Sequence, residues 1–154
     1  MLDRLLKAIL PLAALLAAGC AGSVSASRGA FLAQDPLLQE PIALPGCPRC
    51  VVYVEPSGLA ASLEPDGSFD VSLDALKEQI GSTVPPEFRV KIIDGGTNEV
   101  LKISDLMNLN DVLAAGTAGP FPVAMRDPGS DEERYISDAD RDRIRKLGSG
   151  VRSN

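Results

Sequence analysis

The sequence predicts a small single domain of the α+β class, with a β-hairpin, one or two further short strands and about three helices. Two patterns predict these elements: apolar residues alternate on both sides of a turn near residue 95, and three segments combine helical apolar spacing with capping residues. The segment that carries both patterns, 47–147, holds about 100 residues and is long enough to bury one core.

The hairpin is predicted in PEFRVKIIDGGTNEVLKIS, which ends at Ser104. Apolar residues alternate with charged ones before the turn, and Leu101 and Ile103 continue the pattern after it, so we expect one buried face. CVVYVEP, stopped by Pro56, indicates a buried strand, and FDVS a brief one. FPVAM indicates an edge strand, since Pro120 and Pro122 cannot donate to two neighbours.

Each predicted helix has a serine before it and a glycine after it. The three are LDALKEQI between Ser72 and Gly81, DLMNLNDVLAA between Ser104 and Gly116, and a last helix between Ser137 and Gly148. In the second of them we expect Leu106, Leu109 and Leu113 to face inward.

The N-terminus has the features of an export signal, predicted to cover residues 1–19. Arg4 and Lys7 precede a run from Ala8 to Ala18 without a charged or polar side chain. This run is too short to span a bilayer, which needs about 20 residues. We therefore expect a signal peptide rather than a transmembrane anchor.

The end of this signal, Ala17-Ala18-Gly19-Cys20, resembles the lipobox of bacterial lipoproteins. The resemblance implies that Cys20 is acylated, palmitate being among the acyl chains, and becomes the first residue of the mature protein. Ala21 resembles the residue that directs sorting to the outer membrane. A competing cleavage site after Val24-Ser25-Ala26 would remove Cys20 altogether.

The expected organisation is a lipidated tether over 20–46, a globular domain over 47–147 and a flexible tail over 148–154. The tether prediction follows from the Gly, Ser, Ala and Pro content before residue 47, with only FLAQDPLL as an apolar interruption. The expected location is the bacterial cell envelope, with the chain anchored in the outer membrane and facing the periplasm. The expected partners are the lipid bilayer, through acylated Cys20, and another envelope protein.

Charge and composition exclude several functions. The whole chain has 15 basic and 21 acidic side chains, and removing Arg4, Lys7 and Asp3 with the signal leaves 13 and 20, a net charge of −7. This surface repels phosphate backbones, so we expect no nucleic-acid partner. The chain has no histidine, the usual general base and commonest metal ligand, and we predict neither a cofactor nor a metal site.

Cys47 and Cys50, in CPRC, allow three interpretations: a disulfide, a redox centre or half of a metal site. A metal would need two more ligands, from carboxylates or a second chain. In an oxidising compartment the pair is expected to form a disulfide.

CPRC also resembles the C-P-x-C active site of glutaredoxins, and STVPPEFRVKIIDGG resembles the T-V-P segment and following hairpin of that family. The resemblance implies a thioredoxin-like fold in which Cys47 is the nucleophile, Cys50 is the resolving thiol, and Pro85, after Val84, is a cis-proline facing them. Such a site requires a helix immediately after Cys50, whereas the pattern there is that of a strand.

Two functions therefore stay open, with a carboxylate-based hydrolase as a remote third. The favoured one is a membrane-anchored envelope lipoprotein, not an enzyme, that acts as an accessory or assembly factor and docks another envelope protein. The alternative is a membrane-tethered thiol–disulfide oxidoreductase using Cys47 and Cys50.

Overall fold

Eight strands and four helices follow one another in the part of the chain that the structure describes, beginning with a strand that was not predicted and ending with the predicted last helix. The computed structural model describes residues 28–44, 47, 49–116 and 119–150. The elements are β1 (Arg28–Gln34), β2 (Cys50–Glu55), β3 (Leu59–Ser62), β4 (Ser68–Ser72), α1 (Leu73–Ile80), β5 (Glu87–Asp94), β6 (Val100–Ser104), β7 (Met107–Asn108), α2 (Leu109–Ala115), β8 (Phe121–Arg126), α3 (Asp131–Arg134) and α4 (Asp138–Gly150).

The strands form one mixed sheet in the order β3-β2-β5-β6-β8-β1-β4, with β7 pairing to β5 beside this path. β1 and β8 are parallel, and the other pairs are antiparallel. The two outermost strands, β3 and β4, are consecutive in the chain and are joined by a tight turn, in which Glu64 N donates to Ser68 O at 2.9 Å. The sheet is therefore curled almost into a barrel, and the α+β class fits this small single domain only roughly.

The main core fills the inside of the curled sheet. Phe31 of β1 stacks on Phe69 of β4, with ring centroids 5.3 Å apart, and meets Phe121 of β8 edge-on at 6.1 Å. Leu76 and Ile80 of α1 are buried against it, as the cap and spacing predicted, and the Ser72 hydroxyl accepts from Ala75 N at 3.2 Å. The aromatic contacts join β1, β4 and β8, which are far apart in the sequence.

A second, smaller core covers the opposite face of the sheet. Val51 and Tyr53 of β2 and Ile93 of β5 pack with Ile136 and Ile144, which approach from the C-terminal segment. The predicted hairpin is confirmed as β5 and β6. The expectation of a single buried face is wrong, because α4 and the chain before it cover what would otherwise be the solvent side.

The predicted tether is wrong from residue 28 onward. Residues 28–34 form β1, an internal strand paired with β4 on one side and β8 on the other. Phe31 and Ala33 are buried in the main core. The Gly, Ser and Ala content of this segment suggested a linker, but residues 28–34 form a strand with alternating burial. The folded domain therefore begins well before residue 47.

β8 is also internal rather than an edge strand. It pairs with β1 over Phe121–Ala124 and with β6 only at Met125 and Arg126. Pro122 is thus paired on one side alone. Its missing N–H removes no bond that the sheet would otherwise make, and this allows a proline within an internal strand.

The second predicted helix begins later than expected. Asn108, not Ser104, caps α2, and its side chain accepts from Asn110 N at 2.8 Å. Leu106, expected to face inward, is 62% exposed. The Ser104 hydroxyl instead accepts from Val90 N at 2.8 Å inside the sheet.

The ends of the other helices follow the prediction with one difference. Gly116 ends α2 with a φ of 67°, as expected of a glycine C-cap. The Ser137 hydroxyl accepts from Asp140 N at the start of α4, but the helix runs past Gly148 to Gly150. The first residues of the predicted tail therefore belong to α4, while 151–154 lie outside the described residues.

Candidate functional site

Cys47 and Cys50 form a disulfide, with an S–S distance of 2.02 Å and Cα atoms 5.5 Å apart. Cys50 is 8% exposed, opens β2 and belongs to the main core, against which Cys47 also packs. The residue that follows Cys50 continues a strand, not a helix. The pair is thus a cross-link at the start of a buried strand.

Pro85, the third residue of the glutaredoxin-like set, lies at the other end of the sheet. The Val84–Pro85 bond is cis. Cys50 pairs with Asp94, the last residue of β5, whereas Pro85 comes before Glu87, the first residue of that strand. The length of β5 corresponds to about 24 Å at the usual rise of a strand. The structure therefore does not bring the disulfide and Pro85 together.

The disulfide belongs to one end of the barrel. We call it the disulfide end and define it as loops 35–44, 63–67 and 94–99 together with Cys47, Arg49 and Cys50. Backbone hydrogen bonds join these loops: Ala33 N to Gly67 O, Ile42 N to Ala33 O, Leu63 N to Cys50 O, and Gly95 N to Arg49 O. The loops come from different parts of the chain and form one continuous surface.

Leu37 and Leu38 are the most prominent feature of the disulfide end. They are 90% and 68% exposed. Asp35 Oδ1 accepts from both of their backbone N–H groups, at 2.8 and 3.1 Å, and Asp35 N donates to Glu40 O at 2.9 Å. The turn is therefore fixed by its own hydrogen bonds, and it presents two large apolar side chains to solvent.

A cavity of about 450 Å³ opens on the same loop. Its apolar lining comes from Ile42 and Leu44, which follow the leucine turn, and from Leu63, Pro65 and the disulfide. Since Ile42 and Leu44 are only partly buried, the cavity has an accessible apolar wall. Leu37 and Leu38 do not line this cavity, so the disulfide end has two separate apolar features on one loop, the exposed turn and the cavity.

The loops of the disulfide end are rich in carboxylates, of which Asp35 and Glu40 flank the leucine turn and Glu64 lines the cavity. The disulfide end carries six of them and a single guanidinium: Asp35, Glu40, Glu64, Asp66, Asp94 and Glu99, with Arg49. The formal charge of this end is therefore −5, most of the net charge of the whole chain, −6. Hydrogen bonds from the Ser68 side chain and backbone lower the pKa of Asp66 below its ordinary value, and this carboxylate is ionised at neutral pH.

A second polar cluster lies between the sheet and α4. Lys91 is 1% exposed and its Nζ is 2.7 Å from Glu55 Oε1, while Glu55 Oε2 accepts from Arg89 Nε at 2.8 Å. Arg143 of α4 donates to Gly58 O at 2.8 Å. The charged groups of this cluster pair with one another, so the cluster leaves no open site. The contact of Arg143 with Gly58 attaches α4 to the sheet.

Tyr53 and Asp140 connect this cluster to the helix. Burial is the largest cause that raises the pKa of Tyr53, and the hydrogen bond from its hydroxyl to Asp140 is the second. Burial by itself would raise the pKa of Asp140, but hydrogen bonds from Ser137 and Tyr53 and the charge of Arg143 outweigh it and lower that pKa. At neutral pH the pair is therefore a phenol donating to a carboxylate.

Cys20, the predicted lipidation site, lies outside the described residues. Within the described ranges, no helix is long and apolar enough to cross a membrane. The same residues hold no group of three or more potential metal ligands. Leu37 and Leu38 were not among the predicted site residues, although Asp35-Pro36 before them is a turn signal that places the next residues on the surface.

No family model, curated protein or solved structure matches the chain.

Proposed function

We propose that this protein is a bacterial envelope lipoprotein, anchored through an acylated Cys20, that acts as a non-enzymatic accessory or assembly factor by docking another envelope protein. One observation carries the docking part of the proposal: Leu37 and Leu38 are exposed on a hydrogen-bonded turn. Placing large apolar side chains in water is unfavourable, and clustered ones are typical of interaction surfaces.

The anchor is supported by the order of features at the N-terminus, with basic residues, an uncharged apolar run and then Ala17-Ala18-Gly19-Cys20. The Cys47–Cys50 disulfide supports export, because disulfides persist in oxidising compartments and are rare in reducing ones. Several acyl chains on one cysteine would hold the protein firmly, since a single chain gives only marginal membrane binding. We propose the outer membrane, with the domain in the periplasm, as the location.

The anchor can be tested by feeding expressing bacteria an alkyne-tagged palmitate and fractionating their membranes. We expect label on the wild-type chain and its recovery with the outer membrane. Cys20→Ser is expected to lose both the label and the membrane association. Cys47→Ser is the matched control, because it also replaces one cysteine by serine, and it should stay labelled. A chain that remains unlabelled and soluble would contradict the proposal.

The oxidoreductase alternative gains no support from the described geometry. Cys50 opens a strand instead of a helix, and Pro85 lies at the far end of β5 from the residue that pairs with Cys50.

A further inference from the structure

We propose that the disulfide end binds a segment of a partner protein in which apolar residues are flanked by lysine or arginine. The inference rests on the proposed function and deepens it, because it assigns the docking surface and the chemistry of what docks there. Three features of the described residues lead to it: the direction in which this end points, its apolar surface and its charge.

The disulfide end lies opposite the point where the chain enters the domain. Arg28, the first described residue, pairs with Ser72 at one end of the β1 and β4 pair, whereas Leu32 pairs with Ser68 near the other. β1 therefore crosses the domain, and its seven residues correspond to about 20 Å. An anchor attached before Arg28 holds that end toward the membrane, so the leucine turn faces the periplasm, where a protein partner is accessible.

The disulfide end offers two apolar features to a segment of polypeptide. Leu37 and Leu38 project from one side, and the cavity of about 450 Å³ lies on the same loop. Side chains of a partner can enter the cavity while its neighbouring residues pack against the two leucines. This arrangement resembles the central apolar cluster that dominates many protein interfaces.

The charged part of the surface selects the flanking residues. The six carboxylates of the disulfide end and Arg49 give it a formal charge of −5. A cationic segment is attracted to such a surface, and an acidic segment or an anionic lipid headgroup is repelled. The same charge argues against the bilayer as the occupant of the leucine turn.

The test uses the full chain in nanodiscs of phosphatidylcholine, a lipid without net charge. Two labelled synthetic peptides are titrated by fluorescence anisotropy. The first has leucines flanked by lysines, and the second has the same leucines flanked by glutamates. We expect the lysine peptide to bind at least about tenfold more tightly than the glutamate peptide, and more weakly as salt is raised.

Leu37→Ser with Leu38→Ser is the decisive variant, and Val84→Ser is its matched control, because Val84 is 95% exposed but lies at the other end of the sheet. We expect the double variant to weaken binding of the lysine peptide about tenfold or more, and the control to leave it unchanged. The exposed position of both leucines means that folding should survive, which circular dichroism can verify.

Three results would overturn the inference: equal affinity for the two peptides, no binding of either, or the same loss in Val84→Ser as in the double variant. A photo-crosslinker at position 38 that reacts with phosphatidylglycerol in anionic nanodiscs, rather than with the lysine peptide, would identify a bilayer contact instead. The titration is repeated with the full Cys20→Ser chain free in solution, so that the peptide measurement does not depend on acylation. Failure of the lipid anchor at Cys20 and failure of the docking surface are therefore separate outcomes.

Discussion

Lys91 Nζ lies 2.7 Å from Glu55 Oε1, and only 1% of the lysine side chain is exposed. The ammonium also donates to the carbonyl of Tyr135 at 3.0 Å. A buried charge is tolerated only when it is paired and hydrogen-bonded, and here the partners come from β2 and from the segment that leads into α4. This contact makes the attachment of the C-terminal segment depend on an ion pair as well as on Ile136 and Ile144.

We predict that Glu55→Gln destabilises the domain more than Lys91→Met does. Glu55→Gln leaves the lysine charged and buried without its counter-ion, which we expect to cost about 2–3 kcal/mol of unfolding free energy. Lys91→Met removes the charge, keeps the apolar volume and leaves Glu55 paired with Arg89, so its cost should be below about 1 kcal/mol. Urea unfolding followed by circular dichroism measures both. A larger loss in Lys91→Met would contradict this account of the pair.

The pH dependence of stability should include a contribution from Asp140. Its pKa is lower in the folded protein than in the unfolded chain, so it stabilises the fold above its ordinary pKa of about 4 and loses this effect as the pH falls through the lowered value. We expect Asp140→Asn to show a smaller drop in stability between pH 7 and pH 3 than the wild type.

Asp138→Asn is the control for this experiment, because its carboxylate is 99% exposed and its nearest basic partner is 3.9 Å away. We expect its pH profile to follow that of the wild type. Thermal melts across the pH range provide the measurement. The role assigned to Asp140 would be refuted by two variants with the same profile.

Removal of the disulfide should have a modest effect on stability. Closing a ring of four residues contributes about 2 kcal/mol in the chain-entropy model. We therefore expect Cys47→Ala to lower the unfolding free energy by about that amount, while the far-ultraviolet circular dichroism spectrum stays unchanged. The control is the wild type unfolded with and without a reducing agent, which should reproduce the difference. Loss of the folded state on reduction would show that the cross-link does more than lower the conformational entropy of the unfolded chain.

Ser104 should contribute to the sheet through its side chain. Its hydroxyl accepts from Val90 N, so Ser104→Ala leaves a buried N–H without this acceptor and should cost about 1–3 kcal/mol. Hydrogen exchange at the Val90 amide should accelerate in parallel. Ser130→Ala removes the exposed cap of the single-turn helix α3 and is expected to cost about 1 kcal/mol or less. Equal costs and an unchanged Val90 amide would contradict this role.

Local patterns in the sequence predicted the elements whose signals are complete within a short window. CVVYVEP is β2, the alternating segment around Gly95 is the β5 and β6 hairpin, and α1 begins at its predicted cap, Ser72. In each of these segments, the residues that specify the element are the same ones that pack or cap it. The cysteine pair is also predictable at this level, because a spacing of three suits a small disulfide ring.

The remaining features depend on contacts that a local pattern does not contain. β1 was missed because its strand character becomes clear only when β4 and β8 pair with it. The alternation at Lys91 indicated an exposed side chain, yet Glu55 and Tyr135, 36 residues before and 44 after it, bury this side chain. Ser104 has the residue type of a helix cap, but its hydroxyl instead accepts a hydrogen bond from Val90 N of the neighbouring strand β5.

The most direct test of the account is the mass of the mature chain, measured on protein purified from bacterial envelopes. We predict a first residue at Cys20 that carries a diacylglycerol thioether, and loss of this mass after Cys20→Ser. A mature chain that begins at Ser27, after cleavage at the competing site, or an unmodified Cys20, would contradict the proposed lipid anchor.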